Sequence, residues 1–123
     1  MRVLAVGCHP DDIEIGCAGT LAKYKQAGHD VIICHVANGN LGHKLISPDE
    51  LREIRTGEAE ASGELIGVEV LNCDIGDLLV YHQDKDQRDK VVEVIRYAQP
   101  DVIITHSPQD YMPDHVAVSN LVF

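Results

Sequence analysis

The chain has 123 residues, 45% of them apolar, with one Phe and no Trp, so it is sized for a single domain with an aliphatic core. Twenty acidic residues against ten basic ones give a net charge of −10, which excludes a phosphate-tracking nucleic-acid binder and a protein held on an anionic membrane surface. No apolar run approaches the roughly 20 residues of a bilayer-spanning helix, so no membrane insertion is expected.

Taken in chain order, Met1-Arg2-Val3-Leu4 runs straight into a first strand, Arg2 to Gly7, with no signal peptide. A helix is predicted from Cys17 to Ala27, with Leu21, Ala22 and Lys25 at helical spacing and Gly28 as its stop. A second strand, Asp30 to Val36, is nearly continuous in apolar residues, as a strand buried on both faces requires. The loop Asn38 to Ser47 follows. Ser47-Pro48-Asp49-Glu50 then starts a helix that runs to Ile66 and stops at Gly67. A third strand spans Val68 to Cys73. A third helix spans Asp86 to Ala98, with Val91, Val92, Val94 and Ile95 facing in. Gln99-Pro100-Asp101 breaks it before a fourth strand, Val102 to His106, and Pro113 opens a last helix. Cys8, Cys17, Cys34 and Cys73 lie in or beside apolar runs without CxxC spacing, as buried free thiols do, so a reduced, cytoplasmic protein is expected.

Strands alternating with amphipathic helices predict an α/β fold: a Rossmann-like three-layer α/β/α sandwich around a mainly parallel sheet. Right-handed crossovers lay strands 1, 2 and 3 out in one direction, and the chain then returns to set strand 4 beside strand 1. The crevice at that reversal lies between the C-terminal ends of strands 1 and 4.

Both of those ends carry polar clusters: His9-Pro10-Asp11-Asp12 and Asp110-Tyr111-Met112-Pro113-Asp114-His115. A catalytic zinc site keeps three protein ligands and an open position for water. His9 and Asp12, at a strand-to-helix turn, can bind one ion, and His115 completes the set. Asp11 is left free beside the metal-bound water as general base. His9-Pro10-Asp11-Asp12 alone also fits an ordinary turn with a helix cap at Asp11 or Asp12; the partner cluster at the matching strand end favours a metal. Zinc is expected at one ion per chain, although two His and one carboxylate also suit iron or cobalt. His29, His35 and His82 read as surface or satisfied buried residues, His106 as packing or support for the ligands, and His43, in a Gly-rich loop, as a solvated residue ahead of a substrate contact. Gly16-Cys17-Ala18-Gly19-Thr20 lacks the spacing of a phosphate loop, and its small residues are expected to let the helix start approach the sheet.

With these residues in place, the chain resembles the PIG-L (LmbE-like) zinc-dependent N-deacetylases, the N-acetylglucosaminyl-phosphatidylinositol deacetylase-like family. The likeness rests on the run from Val6 through His9-Pro10-Asp11-Asp12 to Ala22, then Asn38-Gly39, Ile54-Arg55 with Glu58, Gln99-Pro100-Asp101 and Asp114-His115. It implies zinc on His9, Asp12 and His115, Asp11 as base, and Arg55 reaching the sugar or its phosphate-bearing aglycone. Alone, Arg55 reads as a helix-surface charge paired with Glu58 or Asp49. The implied reaction removes acetyl from an N-acetylated amino sugar or its conjugate.

Two departures from the family pattern stand out. Many members carry a His three residues before the last ligand, where Met112 stands here and offers no hydrogen bond; Tyr111 or His106 would have to compensate. Losing one such donor typically costs roughly 10²–10³ in rate. Family enzymes are also considerably longer, so residues 1–123 read as one deacetylase domain that looks like the N-terminal portion of the family fold, with an uncovered face that favours self-association into a homo-oligomer. A weak or inactive metal- or sugar-binding domain of the same fold is the alternative. More distant is a receiver-type phosphoacceptor domain using Asp11, Asp12, Asp74 and Thr105, which leaves His9 and His115 without a role.

Overall fold

A computed structural model describes all 123 residues. The elements are β1 (Arg2–Gly7), α1 (Asp12–Gln26), β2 (Asp30–Ala37), α2 (Pro48–Ile66), β3 (Glu69–Ile75), α3 (Lys85–Ala98), β4 (Val102–Thr105) and α4 (Pro113–Val122). All strands are parallel and lie in the order β3-β2-β1-β4. β1 is therefore central, with Val3 paired to Val31 on one side and Val102 on the other.

Alternation along β1 divides the core in two. Leu4 and Val6 face one layer with Cys34, Val36, Val91, Ala98 and Val118, under α3 and α4. Val3 and Ala5 face the other with Ile13, Leu21, Val31 and Ile33, under α1 and α2. Burial on both faces explains the unbroken apolar runs. The β1–α1–β2 and β2–α2–β3 crossovers share one face, and α3 crosses back on the other to deliver β4 beside β1. This is the three-layer sandwich, with its strand reversal at β1 and β4.

The caps follow local chemistry. Ser47 Oγ accepts the Glu50 N–H at 3.4 Å, Pro48 begins α2, and Gly67 ends it at φ 70. Asp84 caps α3 by accepting the Gln87 N–H at 3.0 Å. Gly63 is where α2 crosses β3 closely: a Cβ there would lie 2.3 Å from Val70 Cγ2.

Several expectations are corrected. α1 begins at Asp12 rather than Cys17, because its core-facing stripe already starts at Ile13 and continues through Cys17, Leu21 and Tyr24. Gly16 and Gly19 do not permit close packing: both are exposed, and a Cβ on either meets nothing within 4 Å. Val92 is 39% exposed, whereas Val91 is buried and Val94 and Ile95 pack against the core. β3 runs on to Ile75 and β4 ends at Thr105. The receiver reading fails on topology. It requires β3 next to β1, but β3 is here the far edge strand, and Asp74 is bound by Arg52 and Asn38.

Candidate metal centre and its cleft

β1 ends at Gly7, and the chain turns at once: the N–H groups of Asp11 and Asp12 donate to the His9 carbonyl at 2.8 and 3.2 Å. Asp12 Oδ2 reaches back to accept the His9 N–H at 2.7 Å. Asp11 takes the helix N-cap position but makes no side-chain cap. The turn thus presents an imidazole and two carboxylates at the sheet's C-terminal edge.

Asp12 Oδ2 is the hub of the site. His9 Nδ1 lies 3.2 Å from it, His115 Nε2 3.2 Å and His106 Nε2 3.5 Å. Burial alone would raise the Asp12 carboxyl, but contacts with His106 and His9, the His9 N–H and the nearby His115 ring hold it well below the usual carboxylate range. Burial opposes charge on His9 as well, yet Asp12 and Asp114 push its imidazole up to about 9.

Imidazole and carboxylate are donors that zinc takes, and here they meet pairwise at Asp12: no set of ligand atoms within 4.8 Å holds both His9 and His115. Four-coordinate zinc with bonds of about 2.0 Å puts neighbouring ligand atoms ~3.3 Å apart, close to the His9–Asp12 and Asp12–His115 separations. Ligand atoms of Asp12, His106 and His115 lie within 4.8 Å of one another, as do those of Cys8, His9 and Asp12, so two overlapping sets share the Asp12 carboxylate. His106 Nε2 already accepts the Cys8 N–H at 2.9 Å, and its ring stacks on His115 with centroids 4.1 Å apart. Cys8 is buried in the core, and that burial, with the carboxylates around it, pushes its thiol strongly up. His106 and Cys8 are thus supports rather than free donors.

Carboxylates orient the outer nitrogens of both candidate ligand histidines. Asp110 Oδ2 lies 3.2 Å from His115 Nδ1, while its Oδ1 accepts the Met112 N–H at 2.9 Å. Asp114, buried, sits 3.1 Å from His9 Nε2 and accepts the Leu78 N–H at 2.8 Å. Such partners hold a ligating imidazole in one tautomer and orientation. Leu78 takes a left-handed φ of 63 to aim that N–H, a strained choice for a non-glycine residue.

Asp11 faces a cleft of about 510 Å³, a volume suited to a small molecule. Arg55 crosses from α2, donating to the Pro10 carbonyl at 2.8 Å, to Asp11 Oδ2 at 3.1 Å and to Glu58 at 3.1 Å. It therefore does more than pair with Glu58 on the helix surface. Leu41, Ile46, Leu51, Ile54, Leu78 and Met112 supply apolar wall. Asp77 fixes the β2–α2 loop by accepting the N–H groups of Gly39 and Leu41 at 2.9 and 3.0 Å.

The structure brings His9, Asp11, Asp12, His106, Asp114 and His115 together, with Arg55 beside them. Tyr111 stands apart: it is 92% exposed, its ring meets His115 edge-on at 6.2 Å, and its hydroxyl makes no hydrogen bond. His35 is fully buried with Nε2 3.4 Å from Glu14, but its Nδ1 has no partner. Asp110, Asp77 and Leu78 were not anticipated. The signal for Asp110 was its place in the second cluster; for Asp77 it was the Gly76-Asp77 turn after β3.

The chain is similar to known proteins over nearly all of its length. Residues 4–123 match the PIG-L family, described as GlcNAc-PI de-N-acetylase. The chain is 30% identical to 1D-myo-inositol 2-acetamido-2-deoxy-alpha-D-glucopyranoside deacetylase from Kineococcus radiotolerans, over 95% of this chain and 42% of that protein. Among solved structures, N,N'-diacetylchitobiose deacetylase from Pyrococcus horikoshii superposes with a TM-score of 0.89 at 30% identity, covering 97% of this chain and 46% of that one. GalB, the 4-carboxy-2-hydroxymuconate hydratase from Pseudomonas putida, also superposes at 0.89, with 27% identity, 99% of this chain and 54% of that one. The chain spans about half the length of these relatives. A shared fold and a family match over residues 4–123 lead to one conclusion: the chain belongs to the PIG-L, GlcNAc-PI de-N-acetylase family.

Proposed function

We propose that this chain binds one zinc ion through His9, Asp12 and His115 and hydrolyses the N-acetyl amide of an N-acetylglucosamine-type substrate, giving the free amine and acetate. The observation that carries this reading is the hub at Asp12, whose Oδ2 lies 3.2 Å from an imidazole nitrogen of each ligand histidine, with Asp11 on the adjoining cleft. The similarity to deacetylases of acetamido sugars supports the substrate class. When bound, zinc lowers the pKa of water and polarises a carbonyl.

The remaining chemistry belongs to the chain. Asp11 is the general base: Arg55 holds its Oδ2 at 3.1 Å, leaving Oδ1 to take the proton of the attacking water and return it to the departing amine. Three of the five guanidinium hydrogens of Arg55 are committed to Pro10, Asp11 and Glu58, so two remain for a sugar hydroxyl or an anionic aglycone. Asp110 and Asp114 fix the ligand imidazoles, and His106 packs on His115. Met112 lines the cleft without a donor, so protonation of the amine falls to Asp11.

A second reading is taken from the likeness to a hydratase: addition of water to an unsaturated carboxylate. The test is acetate release from N-acetylglucosamine and its conjugates by zinc-loaded protein, with chelated protein as baseline. Zinc-dependent release supports the deacetylase. Stoichiometric zinc without release would leave a metal- or sugar-binding domain, and water addition to an unsaturated dicarboxylate without release would favour the hydratase.

A further inference from the structure

The loop between β2 and α2 carries His43, a side chain with no part in the metal centre. Its Nδ1 accepts the N–H groups of Leu45 and Ile46 at 3.1 and 3.0 Å. A ring nitrogen that accepts two N–H groups carries no proton, so the ring's hydrogen sits on Nε2. His43 lines the same cleft as His9, Asp11 and Met112.

The polar groups of that cleft can be counted. Asp77 is spent on the Gly39 and Leu41 N–H groups, and Asp11 and Glu58 accept from Arg55. Among the lining side chains outside the metal centre, His43 is the one uncharged donor, and its Nε2–H has no partner within the chain. Its loop is held from two sides: Asp77 grips the start, and the turn at Leu45 and Ile46 grips the ring itself. The donor is thus oriented before any ligand arrives, which limits the entropy lost on binding. Its chemistry suits a neutral acceptor, since an uncharged N–H brings no countercharge for an anion and the cleft's cation, Arg55, sits against Asp11 and Glu58.

We infer that His43, locked as its Nε2–H tautomer, is a specificity-determining residue that donates a hydrogen bond to a neutral hydroxyl or ether oxygen of the amino-sugar substrate. This rests on the deacetylase reading and assigns that site a contact beyond the metal. A neutral hydrogen bond is worth about 0.5–1.5 kcal/mol, so its loss weakens binding up to roughly tenfold. Because substrate and transition state share the contact, the loss appears in KM and leaves kcat unchanged.

Two variants separate this role from loop maintenance. His43→Ala removes both the turn acceptor and the cleft donor. His43→Asn keeps an oxygen that accepts N–H groups two and three residues on, as an Asx turn does, while its shorter amide N–H2 ends short of the position held by Nε2–H and so withdraws the donor from that point of the cleft. The readouts are the ring tautomer by nitrogen-15 NMR and the affinity of zinc-loaded protein for glucosamine, the product, which is not consumed. The expected result is a protonated Nε2, a bare Nδ1, and binding weakened roughly two- to tenfold in both variants. A proton on Nδ1 would overturn the inference, as would full affinity in His43→Asn, which would reduce His43 to a turn cap. If the wild-type protein showed the expected tautomer but bound no glucosamine, the amino-sugar reading would fall and this inference with it.

Discussion

Asp110→Asn tests how the second cluster prepares its ligand. Asp110 does two things with two oxygens: Oδ1 accepts the Met112 N–H at 2.9 Å, and Oδ2 lies 3.2 Å from His115 Nδ1. Asparagine keeps the first contact, because its carbonyl oxygen serves the same turn, so the loop should survive. The second contact then becomes an amide N–H facing His115 Nδ1. Two donors cannot face each other, so the imidazole is driven to the tautomer that carries its proton on Nε2. That is the nitrogen 3.2 Å from Asp12, the one that must be bare to hold a metal. Carboxylates behind ligand histidines are typically worth about 10–100-fold in metal affinity. The assay is competition for zinc against a chromogenic chelator at neutral pH, with urea unfolding of the metal-free proteins to show that the loop is intact. The expected result is zinc affinity lowered into that range with metal-free stability nearly unchanged. Wild-type zinc affinity in Asp110→Asn would refute the assignment of His115 Nε2 as a ligand atom.

Other outcomes follow from the same coordinates. His9 is pushed up to about 9 in the metal-free protein, so its pairing with Asp12 and Asp114 stabilises the fold fully below its ordinary value near 6.5 and is lost as pH rises through about 9. Zinc must displace that proton, so its affinity should instead rise with pH over the same window, by roughly tenfold per unit; chelator competition at several pH values, yielding a flat profile, would contradict this. Leu78 is 58% exposed with φ 63, so Leu78→Gly should be more stable in urea than Leu78→Ala by about 1 kcal/mol. Both lose the same side chain but only alanine keeps the strain, and the reverse order would show that the turn is relaxed.

Much of this molecule was legible in its residues, and the exceptions have physical reasons. Strand order followed from apolar runs and crossover handedness, because burying β1 and β2 on both faces leaves few arrangements. The start of α1 was missed because Gly16 and Gly19 look like a loop. They face solvent, where the helix cost of a glycine is modest and the burial of Ile13 and Leu21 outweighs it. Val91 and Val92 read alike in sequence, yet successive helix positions diverge by about 100°, and only Val91 meets the sheet. That His9, Asp11, Asp12 and His115 meet was legible because the first three follow β1 directly and the last opens the helix after its neighbour β4. Which carboxylate backs which imidazole was not, since Asp110 and Asp114 differ only by how one loop turns into α4. Neither the positive φ of Leu78 nor the two N–H groups gathered by His43 leaves a mark in the residues themselves. Both belong to loops whose shape is set by contacts with distant segments, Asp114 and Asp77 among them.

The most direct measurement is acetate release from an N-acetylglucosamine derivative by zinc-loaded wild-type and Asp11→Asn proteins, with bound zinc quantified in each. The account predicts one zinc per chain in both proteins, release by the wild type, and its loss by at least about 10²-fold in the variant. Equal release from both proteins at equal zinc content would contradict it.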